Sequence, residues 1–441
     1  MREKDIQQQF VDWFRHSSPY IRAFRGRTFV ITVGGEMLAD AQFTHLVHDL
    51  VLLNTLGIRL VLVYGARPQI DAQLKSHGAE IRIINGLRVT DDLALECVKQ
   101  AAGTVRVEIE AQLSMGISTM PLHKVPVRVV SGNFVSAQPL GVRDGVDYCH
   151  TGEIRRIDTE SIKWHLEDDN IVLLAPMGYS ATGEIFNLAA EDVATETAKQ
   201  LKADKLIFLA DEDIKDSKRQ LFRELAPKDV QSLLSGKRKL SDATRSHLMH
   251  AMLASMGGVD RIHIVNRHID GALLLELFTR NGIGSLISAH SFEDIRQARI
   301  EDIGGILDLL RPLEEEGILV RRSRELLEME IQYFMVIERE GMIIACTAFY
   351  PYTADQVGEL ACLAVHQDYR NQGRAQLLFD HIIKQAKQLT IQRLFVLTTR
   401  TAHWFRERGF KPGDINDLPV KKRSMYNYQR QSKVFIKDLL D

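Results

Sequence analysis

Residues Glu359 to Ala375, ELACLAVHQDYRNQGRA, decide the fold of the C-terminal third of the chain. Leu360 to Val365 is a nearly continuous run of small and branched apolar residues, the pattern of a strand covered on both faces. From Gln376 onward the period changes, and Leu377, Leu378, His381, Ile382, Ile383 and Ala386 recur at helical spacing. Arg370 to Ala375 therefore falls at a helix N-terminus, where free backbone N–H groups and the positive dipole end can hold a pyrophosphate. Gly373 and Ala375 leave room for close approach, while Arg370 and Arg374 supply charge. Taken alone, the same residues also describe an ordinary strand, turn and helix of an α/β domain, so context has to decide.

The chain has 441 residues, room for two or three domains that each bury a core. Its 56 Lys plus Arg balance 58 Asp plus Glu, which speaks against bulk binding of nucleic acid or an anionic membrane and favours a small-molecule protein. Cys97, Cys149, Cys346 and Cys362 lack C-x-x-C spacing, so no metal site is expected and the thiols read as core residues in a reducing compartment. Met1 to Phe10 is polar and charged rather than an apolar signal, and no run reaches the ~18 apolar residues of a membrane span. A cytoplasmic protein is the expectation.

Upstream, Ile6, Phe10, Trp13 and Phe14 mark an amphipathic helix over residues 3–16, which Ser17, Ser18 and Pro19 are expected to stop. Its stripe suits docking on its own domain or on another subunit. Strands are expected at Thr28 to Val33, Leu60 to Tyr64, Val127 to Val130, Ile171 to Leu174, Lys205 to Leu209 and Arg261 to Val265. Helical stretches such as Leu46 to Leu56, Asp91 to Ala102 and Glu191 to Lys202 separate them, implying an αβα sandwich with a mainly parallel sheet. Gly34, Gly35, Gly65 and Gly132 follow strands, where such sheets bind ligands, although tight turns use glycine there as well.

Pro19-Tyr20-Ile21, Gly34-Gly35, Tyr64 to Ile70, Lys202 to Ile207 and Gly271 to Phe278 resemble the amino-acid kinase family, most closely its arginine-sensitive acetylglutamate kinases, over about the first 290 residues. Two departures stand out. Those kinases carry a lysine two residues before the first Gly-Gly, where this chain has Thr32, and a glycine triplet where it has Gly65-Ala66-Arg67. Phosphoryl transfer needs cations and close backbone contact around the moving phosphate, so kinase activity is not expected. The resemblance implies an arginine pocket at Tyr20, Lys202 and Glu276 with the backbone near Gly282. Outside the resemblance, Lys202 and Glu276 read as solvated charges and Tyr20 as a packing residue.

The polar stretch 290–298 reads as a linker between a kinase-like domain, 1–289, and a second α/β domain, 299–441. In the latter, helices are expected at Asp302 to Arg311 and Ser323 to Ile331, and strands at Phe334 to Glu338, Ile343 to Phe349 and Leu394 to Thr398 around the opening stretch. Arg370-Asn371-Gln372-Gly373-Arg374-Ala375 and Ala402 to Phe410 resemble the coenzyme A pyrophosphate loop and the later helix of the GNAT acetyltransferases. The tyrosine that many of those enzymes use to protonate the leaving thiolate is here Phe405, so Thr398 or Thr399 through solvent, or the substrate ammonium, must serve.

Together the two halves resemble one family, the bacterial N-acetylglutamate synthases that open arginine biosynthesis. Ile318 to Glu325, Gly358 to Val365, Trp404 to Phe410 and Tyr428 to Ser432 carry that likeness. It implies acetyl-CoA and L-glutamate as substrates, L-arginine as feedback inhibitor, no metal, and a homo-oligomeric ring, a hexamer, built through the N-terminal helix and the kinase-like domains. Glu359 is the candidate base and Thr398 the candidate acid. Cys362, Leu363, Val365, Arg370, Gln372, Gly373, Arg374, Ala375, Trp404 and Arg408 are the candidates for coenzyme binding. Arg322, with Arg321 as its rival, Arg430 and Ser432 are the candidates for the two carboxylates of glutamate. A non-catalytic arginine sensor and a bifunctional kinase and acetyltransferase are the two other readings.

Overall fold

The computed structural model describes residues 3–40, 42–115, 127–236, 239–289, 293–339, 341–370, 373–424 and 432–439. The chain divides into two compact units, Met1–His290 and Ser291–Asp441.

The first unit is built on an eight-stranded sheet ordered Glu224–Leu225, Ser285–Ile287, Ile262–Asn266, Lys205–Ala210, Thr28–Val33, Arg59–Tyr64, Ile171–Leu174 and Val129–Ser131. All neighbours run parallel except Ile262–Asn266 beside Ser285–Ile287. The apolar runs are buried on both faces because successive side chains enter different cores. Phe29, Ile31, Leu60 and Leu62 pack under the helices Phe43–Thr55 and Asp92–Ser114, whereas Val30, Val61, Leu206 and Phe208 pack under Ala190–Leu201 and Asp242–Met256. The result is the expected αβα sandwich. A further four-stranded sheet, Ile185–Asn187, Met177–Tyr179, Val135–Pro139 and Gly152–Ile157, had no signal strong enough to anticipate.

The N-terminal helix corrects one expectation. It runs from Glu3 to Phe24 straight through Pro19. Proline removes one backbone hydrogen bond and crowds the preceding turn, but tertiary packing holds the second half in place. The buried Ser17 hydroxyl donates to the Phe278 carbonyl at 3.2 Å, and Phe24 packs edge-on against Phe29 at 5.4 Å and against Phe278 at 5.8 Å. The first half keeps Phe10, Trp13 and Phe14 exposed within this chain. The helix expected over Asp91 to Ala102 is also longer, Asp92–Ser114, with the Asp91 carboxylate capping its start by accepting from the Ala94 N–H at 2.8 Å.

The second unit holds a seven-stranded sheet ordered Glu293–Gln297, Phe334–Arg339, Met342–Tyr352, Val357–Val365, Arg393–Thr398, Lys433–Asp438 and Lys411–Pro412. Only Val357–Val365 and Arg393–Thr398 pair in parallel; every other neighbour is antiparallel. Glu293–Gln297 lies inside the stretch expected as linker. Its composition is polar because it is an edge strand, with Ile295 turned to the core and charges elsewhere. Those charges are spent locally. Arg296 bonds Asp302 and Glu338, and the Glu293 carboxylate lies between Arg339 at 3.2 Å and Arg374, whose Nε donates to both its oxygens at 2.9 and 3.0 Å. This last pair ties the first strand of the unit to the helix Arg374–Gln388.

Removing one partner of a buried pair leaves the other charge without compensation. Glu293→Ala is therefore expected to destabilise the second unit by about 3 kcal/mol, seen as an earlier denaturant transition in that unit. An unchanged transition would mean that the pair carries no net stability.

Candidate active site

The site begins where two parallel strands part. Val357–Val365 pairs with Arg393–Thr398 only through Val357 with Arg393, Gly358 with Leu394 and Glu359 with Phe395. On its other edge the strand slips register against Met342–Tyr352: Ala348 sits opposite Ala361 but Cys346 opposite Ala364, so Cys362 and Leu363 share Thr347. Cys362 takes φ 52° to make this bulge, a left-handed conformation that a side chain disfavours and that structures keep at functional positions.

Around the parting strands the candidate residues converge. Glu359 is buried at the last paired position, with the Lys422 ammonium 2.8 Å from its Oε2. The Tyr352 phenol lies beside it, pushed above its ordinary range first by burial and then by the Glu359 charge. Thr398 ends the partner strand, buried; its hydroxyl oxygen accepts from the N–H groups of Arg400 at 3.3 Å and Thr401 at 3.0 Å and shares a hydrogen bond with the Thr401 hydroxyl at 2.8 Å. Ser432 is buried one residue before Lys433, the partner of Thr398 across the sheet. Arg321 is exposed, whereas Arg322 turns inward. The Arg322 Nη1 donates to Glu330 Oε2 at 2.7 Å and to the Tyr350 hydroxyl at 3.1 Å. Burial raises the Cys362 thiol against the opposing pull of Arg322, an inert thiol rather than a nucleophile. Arg430 and Gln372 lie outside the described residues. Lys422, Glu330 and Tyr350 escaped the sequence reading; a lysine among three consecutive basic residues and a glutamate ending a short helix give no pattern that separates them from surface charges.

The turn opening the helix Arg374–Gln388 has Gly373 at φ 82°, a conformation glycine adopts at no steric cost, and this aims the first N–H groups of the helix outward. Arg374 departs from its expected role. Its guanidinium is buried on Glu293, donates to the Tyr369 carbonyl at 3.2 Å and lies over the Tyr369 ring, so only its backbone is at the turn. Arg370 is exposed, with Nε donating to the Val365 carbonyl at 3.2 Å. Leu363 and Ala375 are half-buried. The Arg408 guanidinium stacks 3.7 Å over the Trp404 ring and its Nε donates to Gln376 Oε1 at 2.7 Å, which brings the later helix onto the turn's own helix. Phe405 is buried among Phe379, Trp404 and Phe410. Among the described residues no group of three or more His, Cys, Asp or Glu side chains is placed to hold a metal.

In the first unit, the ends of Thr28–Val33 and Arg59–Tyr64 carry the two departures from the kinase pattern and lie close together. Thr32 is buried, donating to the Ile207 carbonyl at 3.4 Å and accepting from the Leu209 N–H at 3.3 Å. Gln69 donates to the Gly35 carbonyl at 2.7 Å, and a Cβ on Gly35 would lie 2.8 Å from the Gly65 carbonyl, so the two glycine turns press together. Elsewhere a buried polar chain forms. Lys205 Nζ lies 3.2 Å from His263 Nε2, His263 Nδ1 lies 2.6 Å from Glu276 Oε1, and Glu276 Oε2 accepts from the N–H groups of Ile283 at 2.7 Å and Gly284 at 2.8 Å. Burial pushes the Glu276 carboxyl up, but His263 and the two backbone donors outweigh it and hold it well below its usual range. Gly282 adjoins this carboxylate: a Cβ there would lie 2.9 Å from Glu276 Cδ. Tyr20, half-buried, packs beside Phe24, whose ring faces the Lys205 ammonium. Lys202 is instead exposed at the end of the helix Ala190–Leu201. Lys205 and His263, both buried in strands that read as apolar, gave no signal in the sequence.

Residues 27–266 match the amino acid kinase family and residues 303–410 the acetyltransferase (GNAT) family. The amino-acid acetyltransferase of Ectopseudomonas mendocina (strain ymp) is 54% identical over 432 residues, covering 98% of this chain and 99% of its own. That of Proteus mirabilis (strain HI4320) is 51% identical over 440 residues, covering 99% of each chain. The crystal structure of N-acetylglutamate synthase from Neisseria gonorrhoeae complexed with coenzyme A and L-arginine is 39% identical, covers 98% of this chain and 100% of its own, and superposes with a TM-score of 0.86. Likeness at this level over nearly the full length, on a splayed GNAT sheet preceded by a kinase-type sandwich, means that the chain belongs to the amino-acid acetyltransferase family.

Proposed function

We propose that this acyltransferase makes N-acetyl-L-glutamate from acetyl-CoA and L-glutamate, the first step of arginine biosynthesis, and that L-arginine inhibits it through the first unit. The observation that carries the reading is the buried Glu359 carboxylate at the last paired position of the splay, beside the Cys362 bulge with Arg322 turned inward. Glutamate presents an ammonium, which must lose a proton before it can attack, and Glu359 takes that proton directly or through one water. Lys422, at 2.8 Å, supports the idea that this carboxylate accommodates a cation. The neutral amine then adds to the thioester carbonyl, whose oxygen is polarised by N–H groups of the bulge near Cys362 and Leu363. When the C–S bond breaks, the thiolate takes a proton relayed from water through the Thr398 hydroxyl, which gains one from solvent as it gives one up and is held in place by the two N–H groups it accepts from. Arg322 holds one substrate carboxylate, while Arg430 and Ser432 hold the other. The coenzyme lies along Leu363 to Val365, with its pyrophosphate on the turn through Arg370, Gln372, Gly373 and the backbone of Arg374 and Ala375, and Trp404 and Arg408 behind it.

Glu276, Gly282, Tyr20 and the Lys205 and His263 pair frame the arginine site, a carboxylate suited to a guanidinium or an α-ammonium. Lys202 stays in this proposal only as a rim residue. Thr32 in place of a lysine and the Gly65-Ala66-Arg67 turn support a first unit without kinase activity. The resemblance also supports a cytoplasmic homo-hexamer joined through the N-terminal helix, whose exposed Phe10, Trp13 and Phe14 suit a subunit contact.

Three outcomes are expected. In a thiol-release assay with acetyl-CoA and glutamate, Glu359→Gln should lower kcat about 100-fold at neutral pH, with the deficit shrinking as rising pH leaves more substrate amine neutral. A parallel pH profile would remove Glu359 as the base. Glu276→Gln should abolish the drop in thiol release caused by added arginine, and inhibition equal to wild type would place the effector elsewhere. Purified protein given ATP and N-acetylglutamate should form no acyl phosphate; turnover there would restore the bifunctional reading.

A further inference from the structure

The surroundings of Arg322 are more organised than an anchor alone requires. Its Nη1 reaches Glu330 Oε2 and the Tyr350 hydroxyl, and that hydroxyl donates to the same Glu330 Oε2 at 2.6 Å. A closed ring of three groups results, drawn from the coil before the helix Arg324–Glu330, the last residue of that helix, and the strand Met342–Tyr352. The ring is walled by aromatics: the guanidinium carbon lies 6.0 Å from the Phe334 centroid and 5.9 Å from that of Tyr350, which packs on Tyr333 at 5.1 Å. Burial pushes the Tyr350 phenol far above its ordinary range, so it stays protonated and has a proton to give; Glu330 is the acceptor it uses. The hydrogen-bond directions are therefore fixed. One consequence is asymmetry in the guanidinium. Nη1 is occupied on the Glu330 side, while Nε is buried without a hydrogen-bond partner among the described residues and the Cys362 side chain lies against the guanidinium. An orphaned buried N–H is unfavourable unless something arrives to accept from it. The edge carrying Nε and Nη2 has the spacing of a carboxylate.

We propose that Glu330 and Tyr350 are positioning residues: by holding Nη1 they fix the Arg322 guanidinium in place for the incoming carboxylate of the acceptor, and so set affinity and selectivity for that acceptor without touching it. The proposal rests on the reading of Arg322 as a carboxylate anchor. Glu330 also neutralises the guanidinium in its aromatic surroundings before substrate arrives, which keeps a buried cation from standing alone. It does this through Nη1. A free arginine would sample several rotamers and give up that freedom on binding, whereas a clamped one has already given it up.

Steady-state kinetics on the full-length protein test this, with glutamate varied at saturating acetyl-CoA and the reverse. Tyr350→Phe and Glu330→Ala should each raise the KM for glutamate about tenfold, leave the KM for acetyl-CoA near wild type, and lower kcat little. Glu330→Gln, which keeps an acceptor oxygen, should recover most of the affinity. Both groups converge on one oxygen, so the double variant should fall short of the product of the single effects. In an Arg322→Gln background neither substitution should raise the glutamate KM further. Persistence of their effects in that background, equal changes in both KM values, or a lowered unfolding midpoint with unchanged kinetics would overturn the proposal while leaving the anchor intact. An unaltered glutamate KM in Arg322→Gln itself would overturn the anchor reading, and the proposal with it.

Discussion

Parallel strands that hydrogen-bond at Val357, Gly358 and Glu359 and then separate leave backbone donors and acceptors that a folded interior does not tolerate idle. The chain keeps the gap open by bending one strand away at a bulge, with Cys362 held left-handed against its own preference. The rest of the second unit serves that opening. The long strand Met342–Tyr352, paired antiparallel on both edges, backs the bulged strand, and Lys433–Asp438 closes the far side of Arg393–Thr398 through six register pairs. Glu359 at the closed end and Thr398 at the tip of the second strand then hold two positions of one sheet, and Arg322 reaches the bulge from the coil before Arg324–Glu330.

How much of this the sequence carried depended on whether a residue belonged to a periodic element. Thr28–Val33 and Ile171–Leu174 were read to the residue because apolar runs buried on both faces leave no competing pattern. Glu293–Gln297 was missed for the opposite reason: an edge strand with one core residue looks like a linker until its charges are seen paired. Pro19 misled because a local rule predicts a stop and the packing of Ser17 and Phe24 overrides it. In the site, Glu359, Thr398 and Arg322 came from motif position. Their neighbours Lys422, Glu330 and Tyr350 could not, since each is known only by a side-chain contact between different elements. Arg374 shows the limit from the other side: the motif located it, but not where its guanidinium would go.

Both units hide ionic groups, and each does so by completing hydrogen bonds rather than by leaving charge to solvent. In the first, Lys205, His263 and Glu276 form a chain that ends on two backbone N–H groups, with aromatic rings over the ammonium. In the second, Glu293 sits between two guanidinium groups. Such networks are satisfied only as a whole, so a ligand that enters must replace a partner group for group.

Thr32 sets what position 32 can accept. Its hydroxyl spans Ile207 and Leu209, and Gln69 donates to Gly35 where the turns meet. A lysine placed at position 32 would put an ammonium into a buried space shaped for a methyl and a hydroxyl. Its methylenes would have to displace the neighbouring strand and its charge would find no partner there, so the sheet itself selects against a cation at this point, whatever chemistry the cation could offer.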